Sequence, residues 1–261
     1  MKIAFIGYGN IGNALIGGIL SSFRLSQDIC IFHNQDHIKK KLEKCEFIKS
    51  GDKCKDFFDI IFLCIKPKDI ESAINDNKKI FLDKQIIVSV VAGVSIASIK
   101  KYIDKDISVI RAMPNLCAIF GESITGICTE NFIDIEKKEY VKNIFKSIGH
   151  VREINENEMH LFTAIFGSGP AYIMYFIESL MNSENFDSIT KEDKQQLLLY
   201  LLNSTSKILL NSEDIKELRS RVSSKGGTTE EALKVFEEKN FLEIIRLAID
   251  AAKKKSFKLS Q

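Results

Sequence analysis

The segment SSKGGTTEEAL, residues 223–233, places small, flexible and hydroxyl-bearing residues directly before an apolar-periodic stretch. Two adjacent glycines, Gly226 and Gly227, allow the backbone to form a concave turn whose N–H groups point inward. A helix that follows such a turn adds the partial positive charge of its N-terminus, which attracts anions. Hydroxyl donors flank the glycines at Ser224, Thr228 and Thr229. The segment therefore predicts a receptor for a carboxylate.

A simpler interpretation of this segment is a capped helix after a flexible turn. Thr228 is followed three residues later by Glu231, which is the spacing of a capping box. The capping box explains the start of a helix but gives the paired glycines no role. We therefore favour anion binding.

A second polar interruption of apolar sequence is FTAIFGSGPAYIMYF, residues 162–176. Pro170 suits the first turn of a helix, and Gly167 and Gly169 permit close backbone packing. Thr163 and Ser168 would then present hydroxyls at the junction of two domains, where substrate pockets often form. The alternative is an ordinary helix start.

The N-terminal segment KIAFIGYGNIGNALIGGIL, residues 2–20, has the spacing of a dinucleotide fingerprint. Gly7 permits a tight turn, Gly9 lets the backbone approach a pyrophosphate, and Gly12 lets the helix pack on the strand. The helix is predicted to start near Asn10, so its N-terminus faces the phosphates. The intervening residues Tyr8, Asn10 and Ile11 belong to the same predicted cofactor site.

The second strand ends in CIFHNQDH, where an NAD site usually has a carboxylate for the ribose. Asn34 stands there instead, and with Lys39 or Lys40 it can receive a 2′-phosphate, so we expect NADPH to be preferred and NADH to be possible. Asp36 opposes this preference. His33 and His37 are four residues apart, but no third ligand is nearby, so no metal site is predicted.

Three further strand ends would lie at the same edge of a parallel sheet, where ligands bind. The segments CIKPK, VVAGVS and RAMPNLC provide a cation on a stiff turn, a small-residue turn for a flat ring, and a rigid turn with an amide. The cofactor site is therefore predicted to include Cys64, Ile65, Lys66, Pro67, Ala92, Gly93 and Asn115.

The 261-residue chain is long enough for two domains, and its pattern changes near residue 154. Residues 1–154 alternate short apolar runs with helical stretches, which predicts an α/β fold with a doubly wound parallel sheet. Strands are expected in KIAFIG, DICIFH, DIIFLCI, QIIVSVV and SVIRAMP. Residues 155–261 are predicted to be all-helical, with helices over 170–182, 191–210, 228–239 and 242–255.

The segment QQLLLYLLNSTSKILL is apolar around nearly the whole helix, which predicts a subunit interface. The alternative is a helix at the centre of its own domain. The net charge of +2 gives no general field for nucleic acid or an anionic membrane. Six cysteines without a CxxC pair, no signal-peptide pattern and no membrane-length apolar run predict a cytoplasmic protein.

Taken together, these motifs resemble the pyrroline-5-carboxylate reductase family. The resemblance rests on IGYGNIGNALIGGIL, IKP, VSVVAGVS, RAMPN, GSGPAY and GGTTEEAL, which follow one another at the family's separations. It implies a Rossmann domain followed by an all-helical domain that forms an interleaved dimer, often within a decamer. The implied reaction is reduction of the C=N bond of 1-pyrroline-5-carboxylate to L-proline by NADPH or NADH.

The resemblance also implies roles for the hydroxyl residues. Ser224, Thr228 and Thr229 would hold the substrate carboxylate, and Thr229, with Thr163 nearby, would contact the ring nitrogen. No catalytic His or Lys is required, because an iminium ion is already a good hydride acceptor. The chain departs from the family at Lys225, where Pro is usual, and at Leu116, Cys117, Phe166 and Gln35.

Two rival functions remain open. A β-hydroxyacid dehydrogenase shares the layout but commonly has a lysine on the interdomain helix, and no lysine occurs between Lys146 and Lys191. A non-catalytic cofactor sensor would bind NADPH without turnover.

Overall fold

The structure is a computed structural model that describes residues 1–23, 25, 29–34, 42, 44–52, 54, 56–130, 133–184, 186–212 and 214–259. An eight-stranded sheet forms the centre of the N-terminal part. Its strands are β1 (Ile3–Ile6), β2 (Ile29–His33), β3 (Cys45–Lys49), β4 (Ile60–Leu63), β5 (Ile86–Ser89), β6 (Ser108–Met113), β7 (Ser123–Thr129) and β8 (Gly149–Glu153).

The strand order is β3-β2-β1-β4-β5-β6-β7-β8, and the chain crosses over on both sides of β1. Strand β1 pairs in parallel with β2 and β4, so that Phe5 lies opposite Ile31 on one side and Phe62 on the other. The five strands predicted from the sequence are all present, which confirms the doubly wound α/β fold.

The sequence predicted a parallel sheet, but the observed sheet is mixed, because β7 runs antiparallel to β6. A 3-10 turn at Leu116–Phe120 and the left-handed Gly121, with φ of +73°, connect these two strands. So short a connection reverses the chain, whereas a parallel neighbour would need a longer crossover.

Helices pack on both faces of the sheet, and further helices make up most of the C-terminal part of the chain. In chain order, the helices of the described residues are α1 (Asn10–Ser22), α2 (Ile70–Asp76), α3 (Ile96–Tyr102), α4 (Ile135–Ser147), α5 (Met159–Phe162), α6 (Gly169–Met181), α7 (Lys191–Leu210), α8 (Ile215–Arg221), α9 (Thr228–Glu238) and α10 (Phe241–Lys258). The four predicted C-terminal helices are confirmed with small shifts of their ends, and α8 was not predicted. Within the described residues, no helix combines the length and the apolar character needed to cross a bilayer.

Alternating side chains of the strands feed two buried clusters. Phe5 of β1 packs with Leu15 of α1 and Phe145 of α4 on one face. Ile6 packs on the other face with residues of α2 and α3 such as Ile74 and Ile99. Because both faces are covered, the central strands β1 and β4 are apolar at every position.

The chain forms two compact units. One comprises Met1–Pro170 together with Ala251–Gln261, and the other comprises Ala171–Asp250. The end of α10 thus belongs to the unit that contains the sheet, while the domain boundary at residues 154/155 stays a prediction from the sequence.

In the second unit, α7 exposes most of its apolar residues in the single chain. Tyr200 is 71% exposed and Leu210 is 85% exposed, and the helix has one buried residue, Lys194. The helix is therefore not at the centre of its own domain, so that interpretation is wrong. The interpretation as a subunit interface is the one that agrees with the exposed apolar side chains.

Candidate functional site

The predicted cofactor residues lie at one edge of the sheet. Strands β1, β2, β4, β5 and β6 are parallel, so their carboxyl ends share this edge. The segments that follow these strands contain Gly7–Gly12, Asn34, Cys64–Pro67, Ala92–Gly93 and Asn115. This is the position at which open α/β sheets bind ligands.

The three fingerprint glycines have three different surroundings. Gly7 has φ of +100°, and a Cβ atom on it would lie 2.5 Å from the carbonyl oxygen of Cys64. A Cβ atom on Gly12 would lie 2.6 Å from the carbonyl oxygen of Gly7, so the helix packs directly on the turn. Gly9 has nothing within 4 Å of the corresponding position. The first and third glycines are therefore required by the fold, and the second leaves an open approach to the backbone at the N-terminus of α1.

An aromatic group lies beside this turn. The ring of Tyr8 meets Phe47 of β3 edge-on at 5.3 Å, and His33 at the end of β2 meets Phe47 at 5.9 Å. The Tyr8 hydroxyl donates to Oδ1 of Asn13 at 2.9 Å, and burial raises the pKa of Tyr8. These contacts fix the wall of the edge next to Asn34, which is exposed. Lys39 and Lys40, together with Gln35, Asp36 and His37, lie outside the described residues.

The turn after β4 contacts the glycine turn. The amide of Cys64 donates to the carbonyl of Ile6 at 2.8 Å, and burial raises the pKa of the Cys64 thiol. Ile65 is half-buried and Lys66 is exposed, and Pro67 begins a 3-10 turn. Cys64 therefore serves as a neutral packing residue, and Lys66 is an exposed cation at this edge.

Gly93 is buried against the chain's own C-terminal helix. Its φ is +82°, and a Cβ atom there would lie 2.6 Å from Cβ of Leu259 and 2.8 Å from the carbonyl oxygen of Ser256. His160 of α5 secures the same helix, because its Nδ1 lies 3.0 Å from the Ser256 hydroxyl. The end of α10 thus already requires a glycine at position 93, and a role for Ala92 and Gly93 in cofactor binding stays a prediction.

Asn115 connects the carboxyl end of β6 to the segment that contains Thr163. Its Nδ2 donates to the carbonyl of Phe166 at 3.1 Å, and its Oδ1 accepts from the amide of Cys117 at 3.1 Å. Residues Thr163–Gly167 form a π-helical turn rather than a simple helix start, and the Thr163 hydroxyl donates to the carbonyl of Met159 at 2.7 Å. Thr163 and Asn115 therefore lie on two segments that the Asn115 amide holds together.

In the second unit, the segment before α9 forms a tight turn. The amide of Gly227 donates to the carbonyl of Ser224 at 3.0 Å, and Gly226 has φ of +74°. A Cβ atom on Gly227 would lie 2.6 Å from the Ser224 hydroxyl oxygen. The positive φ of Gly226 favours glycine there, whereas a side chain at position 227 would require the Ser224 hydroxyl to move.

The predicted capping box is wrong by one residue. Gly227 is the N-cap of α9, in an extended conformation, and Thr228 is already the first helical residue. No side chain caps the helix, and the carboxylate that reaches back is that of Glu230, which accepts from the amide of Gly226 at 2.7 Å. Reading the second glycine as the N-cap would have identified Glu230, because it is the third residue of that helix.

The uncapped N-terminus of α9 can bind an anion. Within the described part of the chain, the amides of Thr228 and Thr229 have no side-chain cap, and such first-turn amides lack a helical partner. The Thr228 side chain is exposed and that of Thr229 is half-buried. Ser224, Thr228 and Thr229 therefore lie together around this turn, in a different compact unit from Thr163.

One cluster of metal-binding residue types lies away from this edge. Ligand atoms of Cys30, Glu46 and Asp56 lie within 4.8 Å of one another, but Lys2 already pairs with Asp56 at 2.6 Å. Burial raises the pKa of the Cys30 thiol to about 12, so this thiol is protonated at neutral pH in the metal-free protein.

Comparison with known proteins identifies relatives of the whole chain. A family model described as pyrroline-5-carboxylate reductase dimerisation matches residues 156–259, and one described as NADP oxidoreductase coenzyme F420-dependent matches residues 2–93. The chain is 32% identical to the pyrroline-5-carboxylate reductase of Staphylococcus aureus strain COL over 100% of this chain and 98% of that protein.

Solved structures are similar over the same length. A Plasmodium falciparum pyrroline carboxylate reductase with NADP bound matches with a TM-score of 0.90 at 27% identity, covering 100% of this chain and 98% of that one. A 1-pyrroline-5-carboxylate reductase from Streptococcus pyogenes matches with a TM-score of 0.88 at 26% identity, covering 99% and 98% of the two chains.

Proposed function

Because the chain belongs to the pyrroline-5-carboxylate reductase family, we propose that it reduces the C=N bond of 1-pyrroline-5-carboxylate to give L-proline. The observation that carries the proposal is the presence in one chain of two helix N-termini that have glycine N-caps without a side-chain cap, the kind of backbone site that accepts anions. One is the open glycine turn at Gly9, and the other is the uncapped N-terminus of α9 behind Gly227. A dinucleotide and a small carboxylate are the ligands that such sites accept.

NADPH is the proposed cofactor and supplies the hydride when bound. The open backbone at Gly9 fits a pyrophosphate, and the N-terminus of α1 adds favourable charge. Asn34 in place of a carboxylate favours NADPH over NADH, since a 2′-phosphate meets no negative charge at that residue. The residues proposed to hold the cofactor are Gly7, Tyr8, Gly9, Asn10, Ile11, Gly12, Asn34, Cys64, Ile65, Lys66, Pro67, Ala92, Gly93 and Asn115.

The substrate carboxylate is proposed to bind the turn before α9. Ser224 and Thr228 contribute hydroxyl donors, and the amides of the first turn contribute N–H groups and a favourable dipole. Thr229 orients the ring nitrogen, and Thr163 contributes a second hydroxyl. The Thr163 hydroxyl hydrogen is engaged with the Met159 carbonyl, so its oxygen is suited to accept from an iminium N–H.

This set of groups is sufficient for the reaction. When the hydride adds to the C=N carbon, a C–H bond forms and the π electrons move to nitrogen. An iminium ion becomes the amine of proline without a further proton, so hydroxyl and amide groups need only bind and orient.

The proposed assembly is a homodimer formed through the helical region, with a decamer as the proposed higher oligomer. The exposed apolar side chains of α7 support a self-association surface, since monomeric soluble proteins rarely expose a large apolar patch. We also propose a cytoplasmic location, which the six free cysteines support. Light scattering of the purified chain at several concentrations tests the oligomer number.

The deciding experiment follows oxidation of the reduced cofactor when purified protein is mixed with 1-pyrroline-5-carboxylate, first with NADPH and then with NADH. We expect cofactor oxidation matched by proline formation, with a higher kcat/KM for NADPH than for NADH. NADPH binding without oxidation would replace the reductase with a cofactor sensor. Turnover of a β-hydroxyacid but not of the imine would favour the dehydrogenase alternative.

A further inference from the structure

The turn before α9 lacks the residue that usually makes such a turn rigid. Ser224 and Gly227 are its first and last residues, joined by a 3.0 Å hydrogen bond, and Gly226 at its third position has φ of +74°. A positive φ at the third position is typical of a type II turn, whose second position favours proline. Lys225 occupies that second position. Lysine does not fix φ as proline does, so the turn is held by fewer covalent restraints.

A carboxylate from the following helix supplies a different restraint. Oε2 of Glu230 accepts a hydrogen bond from the amide of Gly226 at 2.7 Å. Glu230 is the third residue of α9, so the helix fixes its backbone while its side chain reaches back across the turn. A charged acceptor makes this bond stronger than an ordinary amide–carbonyl bond.

The Glu230 carboxylate bonds to the backbone of the turn although cationic side chains lie near it. Glu230 lines a groove of about 340 Å³ between α8 and α9, and the groove is also lined by Lys216, Arg219 and Lys234. Lys234 pairs with Glu231 at 2.6 Å, whereas the Glu230 carboxylate bonds to the Gly226 amide. The Gly226 amide that Glu230 engages lies before the helix begins. The first-turn amides of Thr228 and Thr229 therefore remain available to a ligand.

We propose that Glu230 is a positioning residue that holds the Ser224–Gly227 turn in its carboxylate-binding form and compensates for the absence of proline at position 225. The inference rests on the proposed function, because the ligand is the substrate carboxylate. Glu230 does not contact the substrate; it acts through the Gly226 backbone. Without its carboxylate the turn samples other conformations, and substrate binding weakens while the hydride step is unchanged.

The test compares Glu230→Ala with Glu230→Gln and with Glu231→Ala, a matched control that removes the same charge from the neighbouring residue. For Glu230→Ala we expect KM for 1-pyrroline-5-carboxylate to rise about tenfold with kcat and KM for NADPH retained, the signature of binding lost equally from the ground state and the transition state. Glu230→Gln keeps an acceptor and should stay within about threefold of the wild-type KM. Glu231→Ala should match the wild type.

Rescue by a second substitution tests the mechanism of the effect. Lys225→Pro in the Glu230→Ala background should restore most of the lost KM, because proline fixes the turn by another route. A KM that is unchanged or lower in Glu230→Ala overturns the proposal, and a lower KM would mean that Glu230 competes with the substrate. A rescue that fails, with the two effects simply adding, also overturns it.

Hydrogen exchange of the Gly226 amide provides a readout that does not need turnover. Exchange of this amide in the free full-length protein should accelerate several-fold in Glu230→Ala and not in Glu231→Ala. Equal exchange in the two variants rejects the proposed restraint, even if the imine is not the substrate. Wild-type protein that fails to reduce the imine, yet shows the expected exchange pattern, rejects the proposed function and keeps the role of Glu230 in the turn.

Discussion

Substitution of Gly9 separates the requirements of the fold from those of the cofactor. A methyl group at this position meets nothing within 4 Å, and φ of −79° with ψ of −166° is accessible to alanine. Alanine is a poorer N-cap than glycine by roughly 0.5–1 kcal/mol, but it loses less backbone entropy on folding by a similar amount. We therefore expect Gly9→Ala to change the free energy of unfolding by less than about 0.5 kcal/mol and Tm by less than about 2 °C.

The same methyl group should obstruct the close approach of a pyrophosphate to the backbone. The dissociation constant for NADPH is expected to rise at least about tenfold, which corresponds to about 1.4 kcal/mol. Titration of the cofactor's own fluorescence measures this change, and thermal or chemical denaturation of the free protein measures stability. The separation of the two readouts is the prediction.

Two further glycines of α1 serve as controls. Gly17→Ala places its methyl group 3.8 Å from Ile119, an ordinary contact, so it should stabilise the helix by about 0.5–1 kcal/mol without affecting NADPH. Gly12→Ala places it 2.6 Å from the Gly7 carbonyl oxygen and should destabilise the protein by about 1–3 kcal/mol. If Gly9→Ala binds NADPH as well as Gly17→Ala does, the pyrophosphate does not approach the backbone at Gly9.

Three other substitutions address the proposed ring-nitrogen contact, a buried ammonium and a pH-dependent contact. Thr229→Val should lower kcat/KM for the imine about tenfold or more with NADPH affinity unchanged, and unaltered turnover would exclude Thr229 from the site. Lys194 is 8% exposed, and its ammonium donates to backbone carbonyls at 2.9 and 3.0 Å. Lys194→Met removes this ammonium and should lower the free energy of unfolding by about 2 kcal/mol. Lys207→Met, at an exposed position of the same helix, should change the free energy of unfolding little. Burial lowers the pKa of His160 below its usual 6.5, so the contribution of its contact with Ser256 is complete above about pH 6.5 and declines as the solution is acidified. Denaturation curves of wild type and His160→Gln should therefore differ most near pH 7 and converge towards pH 5, and a constant difference would contradict this assignment.

The five strands that the sequence predicted are apolar and buried at nearly every position, whereas the largely buried β7, which contains Ser, Thr and Gly, was not predicted. Ile60–Leu63 and Ile86–Ser89, for example, are buried at every position, so an apolar run is enough to indicate them. Strand β3 and strand β8 lie at the two edges of the sheet and have no fully buried residue. An edge strand is stabilised by pairing with its neighbour, and that long-range contact leaves little local pattern in the sequence.

In the candidate site too, a local sequence pattern predicts some features, and others depend on contacts between residues far apart in the chain. The glycine turn at β1 is dictated by neighbours in sequence and by one adjacent strand, and its three roles follow from spacing. Gly93 satisfies the spacing of a cofactor turn, yet its lack of a side chain is also required by Leu259, a contact across most of the chain. No local pattern could have indicated that second requirement.

The turn before α9 shows how one residue of register changes a functional interpretation. With Thr228 as N-cap, its side chain and that of Glu231 would occupy the helix amides, and an anion would have to displace them. With Gly227 as N-cap, the cap has no side chain, and the acidic residue in the corresponding place, Glu230, bonds to Gly226 outside the helix. The first-turn amides are then unoccupied, and the Thr228 and Thr229 hydroxyls are not consumed by capping. A glycine at this position costs little stability relative to a polar cap. Because glycine has no side chain to accept from the first-turn amides, those amides can donate to a ligand instead.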